Sequence, residues 1–380
     1  MKTIFAAAAL LALAAGCTQQ HTIEVTNASN ANADGEMAEV PLADILATIG
    51  EEFVISDPKG AEVPYQITYD SLVVFPADVP AGTTVAYRLV KGTPQEVDTI
   101  VYGRQFPERK DDMAWENDRS AYRAYGPALQ ESGERAFGYD IWTKSVATPI
   151  LEQRFADDIE RGISFHVDHG NGMDVYGVGP TLGGGTAALL DSLGSIVFPY
   201  CYAGYEILDR GPLRFTVRLD YRPMAVDGDS AVVEHRLISL DRGSWLNRTT
   251  VSYDGLSTPR QFAPGIVVHD SNPDGYELME AEHAMAYADL TEDPANGNGT
   301  IYVGVVAPMS GAMRYQALPE PAGAAIGHIL APSNYTPGES YTYWWGSGWS
   351  KGGVTDMEAW KNILATRSAL AATPLKAAVK

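Results

Sequence analysis

The densest concentration of proton-transfer chemistry in the chain is His166-Val167-Asp168-His169-Gly170-Asn171-Gly172-Met173-Asp174-Val175-Tyr176. Imidazole moves protons near neutral pH, and glycines let backbone come close to a ligand. His169 is the first candidate for a base and His166 the second, with Tyr176 as a candidate acid and Asp174 as a substrate contact. The same residues also describe a polar turn with hydrogen-bonded histidines. A His-Asp-His set for a divalent ion is a third reading, although the spacing matches no standard metal motif. Strand alternation would point His166 and Asp168 one way and His169 the other.

A second cluster is Trp115-Glu116-Asn117-Asp118-Arg119, followed by Tyr122-Arg123-Ala124-Tyr125-Gly126-Pro127. Indoles that stack on sugar faces, beside Asn and Arg that bond hydroxyls or a carboxylate, are what a saccharide cleft needs. Trp115, Asn117, Arg119 and Arg123 are thus candidate substrate contacts and Tyr125 a candidate acid. An ordinary salt-bridged strand face is the plainer alternative. Asp140-Ile141-Trp142-Thr143-Lys144 adds Trp142 as a contact and Lys144 as a further acid. In Tyr341-Thr342-Tyr343-Trp344-Trp345, alternation lets only one of the two tryptophans line a cleft.

The elements that must position these residues read mostly as strands. Leu72 to Phe75, Val85 to Val90, Thr99 to Tyr102, Ile196 to Phe198, Ile301 to Val306 and Tyr341 to Trp345 are β-rich runs between Pro- and Gly-containing turns. Ile163 to Phe165 is a strand-like lead into the histidine loop. Leu213, Phe215, Val217, Leu219 and Tyr221 alternate with polar residues and leave Arg214, Arg218 and Arg222 on the other face, so Arg214 and Arg218 are reserve contacts for an anion. Leu42, Ile45, Leu46 and Ile49 fit a short helix. The capping pattern Thr355-Asp356-Met357-Glu358, with Met357, Trp360 and Leu364 on one face, predicts a helix closing the chain. Strands without interleaved helices argue for an antiparallel sandwich, mainly β.

The chain has 380 residues, 45% of them hydrophobic, and a formal net charge of −21. Such acidity, with no basic run, argues against nucleic acid as a partner. Several short motifs fail. Gly177 to Gly183 carries a proline and lacks the context of a dinucleotide fingerprint, and Gly183 to Thr186 has no phosphate-loop lysine. Asp270 to Gly275 begins like a calcium loop, but Ala281 stands where the bidentate glutamate belongs. Cys201 reads as a buried thiol. At the N-terminus, Lys2, the apolar stretch Ile4 to Leu13 and Leu13-Ala14-Ala15-Gly16-Cys17 read as a lipoprotein signal over residues 1–16, with Cys17 lipidated as a membrane anchor. Residues 17–39, rich in Asn, Ala, Thr and Ser, read as a tether, and 40–380 as one domain. Without aspartate after Cys17, the outer membrane is the expected address.

Trp115 to Arg119, Arg123 to Leu129, Asp140 to Lys144, His169 to Tyr176 and Leu182 to Gly185 resemble, in order and spacing, the domain of unknown function 4861 family. The resemblance implies a galactose-mutarotase-like β-supersandwich, exported by polysaccharide-degrading bacteria. It also implies an activity like that of an ulvan oligosaccharide dehydratase, which removes water from a non-reducing-end uronic acid and leaves a 4,5-unsaturated uronyl residue. The expected partner is therefore a uronic-acid-containing oligosaccharide, with no cofactor and no metal. In such an elimination Arg123 and Asn117 would grip the carboxylate, His169 or His166 would take the C5 proton, and Tyr176, Tyr125 or Lys144 would protonate the C4 oxygen. A polysaccharide lyase, a glycoside hydrolase and a non-catalytic glycan-binding lipoprotein remain the alternatives.

Overall fold

The alternation from Leu213 to Tyr221 buries its odd-numbered side chains, and the strand Arg214–Tyr221 lies within the largest sheet of the computed structural model, which describes residues 21–380. That nine-stranded sheet runs in the order Tyr202–Arg210, Arg214–Tyr221, Asp229–Asp241, Leu246–Asp254, Ser340–Trp349, Ile301–Val306, Ala284–Asp289 and Tyr276–Met279, with Met224–Val226 paired to the third. A six-stranded sheet centred on Gly184–Leu190, Arg260–His269 and Ala325–Leu330 packs against it. Phe215, Ile238, Val251, Val303 and Trp345 from the first meet Leu189, Phe262, Ile266 and Ile329 from the second in one core. Pairing is antiparallel throughout both sheets, as the patterning implies.

The predicted N-terminal helix is α1, Leu42–Ile49, burying Ile45 and Ile49. Two further helices went unread: α2, Pro127–Glu131, and α3, Leu151–Arg161. The closing helix is α4, Met357–Ala372, with Trp360 and Leu364 buried. Its cap is Asp356, whose Oδ1 accepts from the Ala359 amide at 2.8 Å, one residue later than the box pattern suggested. The helix does not end the chain. Lys376–Val379 returns as a strand and pairs with His21–Asn27.

That pairing overturns the tether over its described part. His21–Asn27 and Ala33–Pro41 are strands, because Ile23, Val25, Ala38 and Val40 alternate into a core. A five-stranded sheet (Lys376–Val379, His21–Asn27, Thr83–Lys91, Phe53–Ser56, Glu62–Val63) and a three-stranded one (Ala33–Pro41, Leu72–Val79, Gln66–Ile67) enclose it together with α1. The folded body thus begins well before residue 40 and has an N-terminal unit with its own core. The signal peptide and Cys17 lie outside the described residues. No helix among the described residues is long and apolar enough to cross a membrane.

A four-stranded sheet is ordered Asp140–Trp142, Ala121–Ala124, Asp112–Glu116 and Tyr102–Phe106. Trp115 and Tyr122 point from one face into the main core. The opposite face carries Asp112, Ala114, Glu116, Ala121, Arg123, Asp140 and Trp142, since Arg123 registers with Ala114 on one side and Asp140 on the other. Phe155 and Leu151 of α3 and Phe165 cover the apolar part of that face.

Candidate functional site

At one end of this face a single guanidinium meets three aspartates. Arg123 Nη2 lies 2.6 Å from Asp140 and 3.1 Å from Asp174, and Nη1 lies 3.5 Å from Asp112. Asp140 is held in place by the Ile141 amide and the Trp142 indole N–H, each at 2.9 Å. Asp174 arrives from the histidine loop, which bridges to Trp142. The backbone there is locked by Thr143 N–H to the Met173 carbonyl and Met173 N–H to Thr143 Oγ1, both 2.9 Å. Gly172 makes this approach possible: its φ is +103°, and a Cβ would sit 2.1 Å from the Thr143 carbonyl oxygen.

Three buried carboxylates around one cation cannot all ionise cheaply. Burial pushes the Asp174 carboxyl well above the usual carboxylate range, Asp140 adds to the push, and Arg123 only partly opposes it. Burial likewise raises Asp112 to about 6 against the pull of Arg123. Both Asp112 oxygens, and Arg123 Nε and Nη1, are buried without a hydrogen-bond partner. Tyr125, half-buried, places its hydroxyl 3.4 Å from Arg123 Nη2, and burial keeps that phenol protonated. The arrangement sets a carboxyl biased toward its protonated form and a phenol beside a fixed cation.

The histidines divide their roles by hydrogen bonding. His166 Nδ1 lies 2.7 Å from the Asp174 carbonyl, which can only accept, so the neutral ring carries its proton on Nδ1 and leaves Nε2 open. His169 points Nε2 at the Ser164 carbonyl at 3.1 Å and sits exposed on the loop. Asp168 accepts from the Gly170 and Gly172 amides, each at 2.9 Å, and so organises the turn. The metal reading does not assemble: the two rings serve different backbone carbonyls, and no group of three metal-ligating side chains occurs among the described residues. Ile163 to Phe165 is not a strand but the exit from α3, which Gly162 ends at φ +67°.

Beyond Asp174, Tyr176 is buried with an unpartnered hydroxyl, its ring 6.0 Å from His269. His269 is the histidine that sequence reading missed. Its Nδ1 lies 2.6 Å from Asp289 Oδ2, and although burial disfavours the charged ring, Asp289 outweighs it and the pKa is raised. A cavity of about 340 Å³ opens beside it, lined by Gly177, Gly179, Glu292 and Ala324. A Cβ at Gly177 would lie 3.4 Å from His269 Nε2, so glycine keeps the ring accessible. His269 ends a strand and Asp289 another, each inside an apolar run, and no local motif marks them. Nearby His328 is different: burial depresses it to about 3, and its Nε2 accepts the Leu182 amide at 3.1 Å.

Several expected contacts are structural instead. Trp115 is fully buried and donates to Asn247 Oδ1 at 2.7 Å, and Trp142 lies in the packed layer under α3. Asn117 binds the Asp241 and Ser244 carbonyls, both at 2.7 Å, while its Oδ1 accepts from the Arg119 and Ser120 amides, so it has nothing left for a substrate. Lys144 is fully buried, donating to Glu116 Oε2 and the Asn117 carbonyl, each at 2.6 Å. Its ammonium is committed to those two acceptors. Arg123 belongs to the site, but its aspartates occupy the Nη2 that would grip a carboxylate. Arg214 joins the N-terminal unit to the large sheet through Glu39 at 2.7 Å and Asp241 at 2.6 Å, and Arg218 pairs with Glu206 at the surface. Neither belongs to the histidine cluster. Arg119 lies over the Trp245 ring, 5.0 Å from its centroid, and Cys201 is buried as expected.

Comparison with known proteins agrees with the family resemblance. Uncharacterized protein P7 of Formosa agariphila is 29% identical over 293 residues, covering 71% of this chain and 73% of its own. An α-mannosidase from Enterococcus faecalis V583 superposes with TM-score 0.50 at 9% identity, over 95% of this chain and 46% of that one. A protein in glycosyl hydrolase family 38 from Enterococcus faecalis gives 0.48 at 8%, over 95% and 47%. This chain spans less than half the length of either, and at 9% identity the likeness to the α-mannosidase concerns the fold alone. A family model described as domain of unknown function (DUF4861) matches residues 25–377, nearly the whole chain, and the protein belongs to that family.

Proposed function

We propose that this protein is a carbohydrate-active enzyme that eliminates water from the terminal uronic acid of an oligosaccharide. The observation that carries the reading is Asp174, a buried carboxyl 3.1 Å from Arg123 Nη2 that burial and Asp140 push well above the usual carboxylate range, with the His166 ring fixed on the Asp174 backbone carbonyl. In its protonated form this carboxyl can donate a hydrogen bond to a uronate carboxylate and so acidify the adjacent C5–H. His269, whose pKa Asp289 raises against the effect of burial, stands beside the Tyr176 ring. His166 Nε2 takes the C5 proton, the C4–O bond breaks as the C4=C5 bond forms, and the Tyr125 hydroxyl gives its proton to the departing oxygen. The products are water and a 4,5-unsaturated uronyl residue, and the phenolate and imidazolium exchange the proton back through solvent. This assignment moves the base from His169 to His166 and removes Lys144 from the acids.

The glycosidase names of the structural neighbours are consistent with a sugar ligand. Export as a lipoprotein anchored through Cys17 at the outer membrane would place the enzyme where polysaccharide fragments enter the cell.

The test is incubation of the purified protein with uronate-terminated oligosaccharides, recording ultraviolet absorbance and product mass. A conjugated uronate with loss of one water and unchanged chain length is expected. His166→Ala should slow that product by roughly 10²–10⁴-fold. The same absorbance with chain cleavage would make the enzyme a lyase, saturated products would make it a hydrolase, and full activity in His166→Ala would remove this residue from the chemistry.

A further inference from the structure

A second cavity, of about 620 Å³, lies where the outer face of the nine-stranded sheet meets the N-terminal unit and α4. That volume falls within the roughly 300–1,000 Å³ typical of small-ligand sites. Trp245 and Trp344 line it, both half-buried. Trp344 is the residue that alternation leaves outside once Trp345 enters the core. Indoles in such a position offer flat faces to sugar rings.

The arginines of this cleft are not equivalent. Arg214 is clamped between Glu39 and Asp241, and Arg367 is paired with Glu36. Those three acids are thereby occupied, and Asp34 stands exposed on the rim. Arg242 has no acidic partner among the described residues, and half-exposed Arg248 reaches Glu39 only at 3.7 Å. In a chain of net charge −21, a guanidinium left open beside two indoles marks a place built for an anion on an apolar-faced ligand.

We infer that this cleft binds an acidic oligosaccharide, with sugar rings on Trp245 and Trp344 and a carboxylate on Arg242 and Arg248. It is a site separate from the Arg123–Asp174 face and needs none of the chemistry proposed there. The turn before strand Ala121–Ala124 places Arg119 at the cleft's Trp245, and the strand itself carries Arg123 to the aspartates. One saccharide chain held here would raise the local concentration of its own end or of its fragments near the second site.

The test is titration of the purified protein with oligogalacturonides and, as neutral probe, cello-oligosaccharides, followed by calorimetry and tryptophan fluorescence. Saturable binding of the acidic probe is expected, weakened by salt. Arg242→Glu should weaken it about tenfold or more, the scale of one charge-assisted hydrogen bond, and Arg248→Glu should act in the same direction. Equal affinity for the neutral probe, no binding of either, or indifference to both arginine substitutions in protein with unchanged melting would overturn the inference. Loss of binding in His166→Ala would do so as well, by assigning the signal to the catalytic face.

Discussion

One face of the four-stranded sheet buries two cations among carboxylates, and the two groups are built in opposite ways. At one end, Glu116 accepts from Lys144 and from the Ile150 and Leu151 amides, and Lys144 also meets the Asn117 carbonyl. Both partners of this pair are fully enclosed and fully bonded. At the other end Arg123 faces three aspartates, one of them with no hydrogen bond to either oxygen, and two of the three are pushed toward the neutral form. A satisfied buried network fixes structure, whereas an unsatisfied one stores a perturbed proton and open donors. The first anchors α3 and the Asn117 turn; the second has what acid–base chemistry needs. The difference comes from what covers the face: α3 presents amides to Glu116, and the histidine loop presents Asp174 to Arg123.

Substitutions at three positions break or sharpen this contrast, in decreasing order of effect. Asp174→Ala removes the carboxyl donor, whereas Asp174→Asn keeps a neutral N–H donor in the same shape. Asp174→Ala should lower turnover by roughly 10²–10³-fold and Asp174→Asn by less, measured on uronate-terminated oligosaccharide. Unimpaired turnover would demote the three-aspartate end to a structural role like its counterpart. Lys144→Met leaves Glu116 buried without its cation and should cost about 3–5 kcal/mol in denaturant unfolding, with the kcat of the folded fraction preserved. A selective loss of kcat would mean that the satisfied pair also touches chemistry.

Asp112→Asn is the finest cut. Its folded pKa of about 6 exceeds the unfolded value near 3.9, so the native state binds the extra proton between them. Stability should therefore fall as pH rises through that window, by up to about 3 kcal/mol for this group. Asp112→Asn should flatten the slope, and the variant should unfold at higher denaturant than wild type at pH 7. An unchanged slope from pH 4 to 6 would place the shared proton elsewhere in the cluster.

Much of this was readable from sequence. Period-two patterning is local, so the strands around Leu213 to Tyr221 and Tyr341 to Trp345 and the sandwich they form follow from which side chains must leave water. Helix α4 was legible from its cap and apolar stripe. The strand His21–Asn27 could have been read from Ile23 and Val25, but two apolar residues in a polar stretch are a weak signal until Lys376–Val379 and Thr83–Lys91 flank them. The Asp168–His169 turn and the division of labour between Trp344 and Trp345 were likewise within reach.

What the chain by itself determined is the class of fold, its capping and turn chemistry, and the segments where polar chemistry concentrates, since these depend on neighbours a few residues apart. Only tertiary structure decided which polar residues are free to act. Asn117 and Lys144 look like ligands in sequence and are bound by backbone and Glu116 in the fold. His269 and Asp289 look like interior strand residues and meet across 20 positions at 2.6 Å. A side chain's availability is set by burial and by partners far away in the chain, and Arg123 acquires its three aspartates from a strand neighbour, a cross-strand register and a loop 51 residues away.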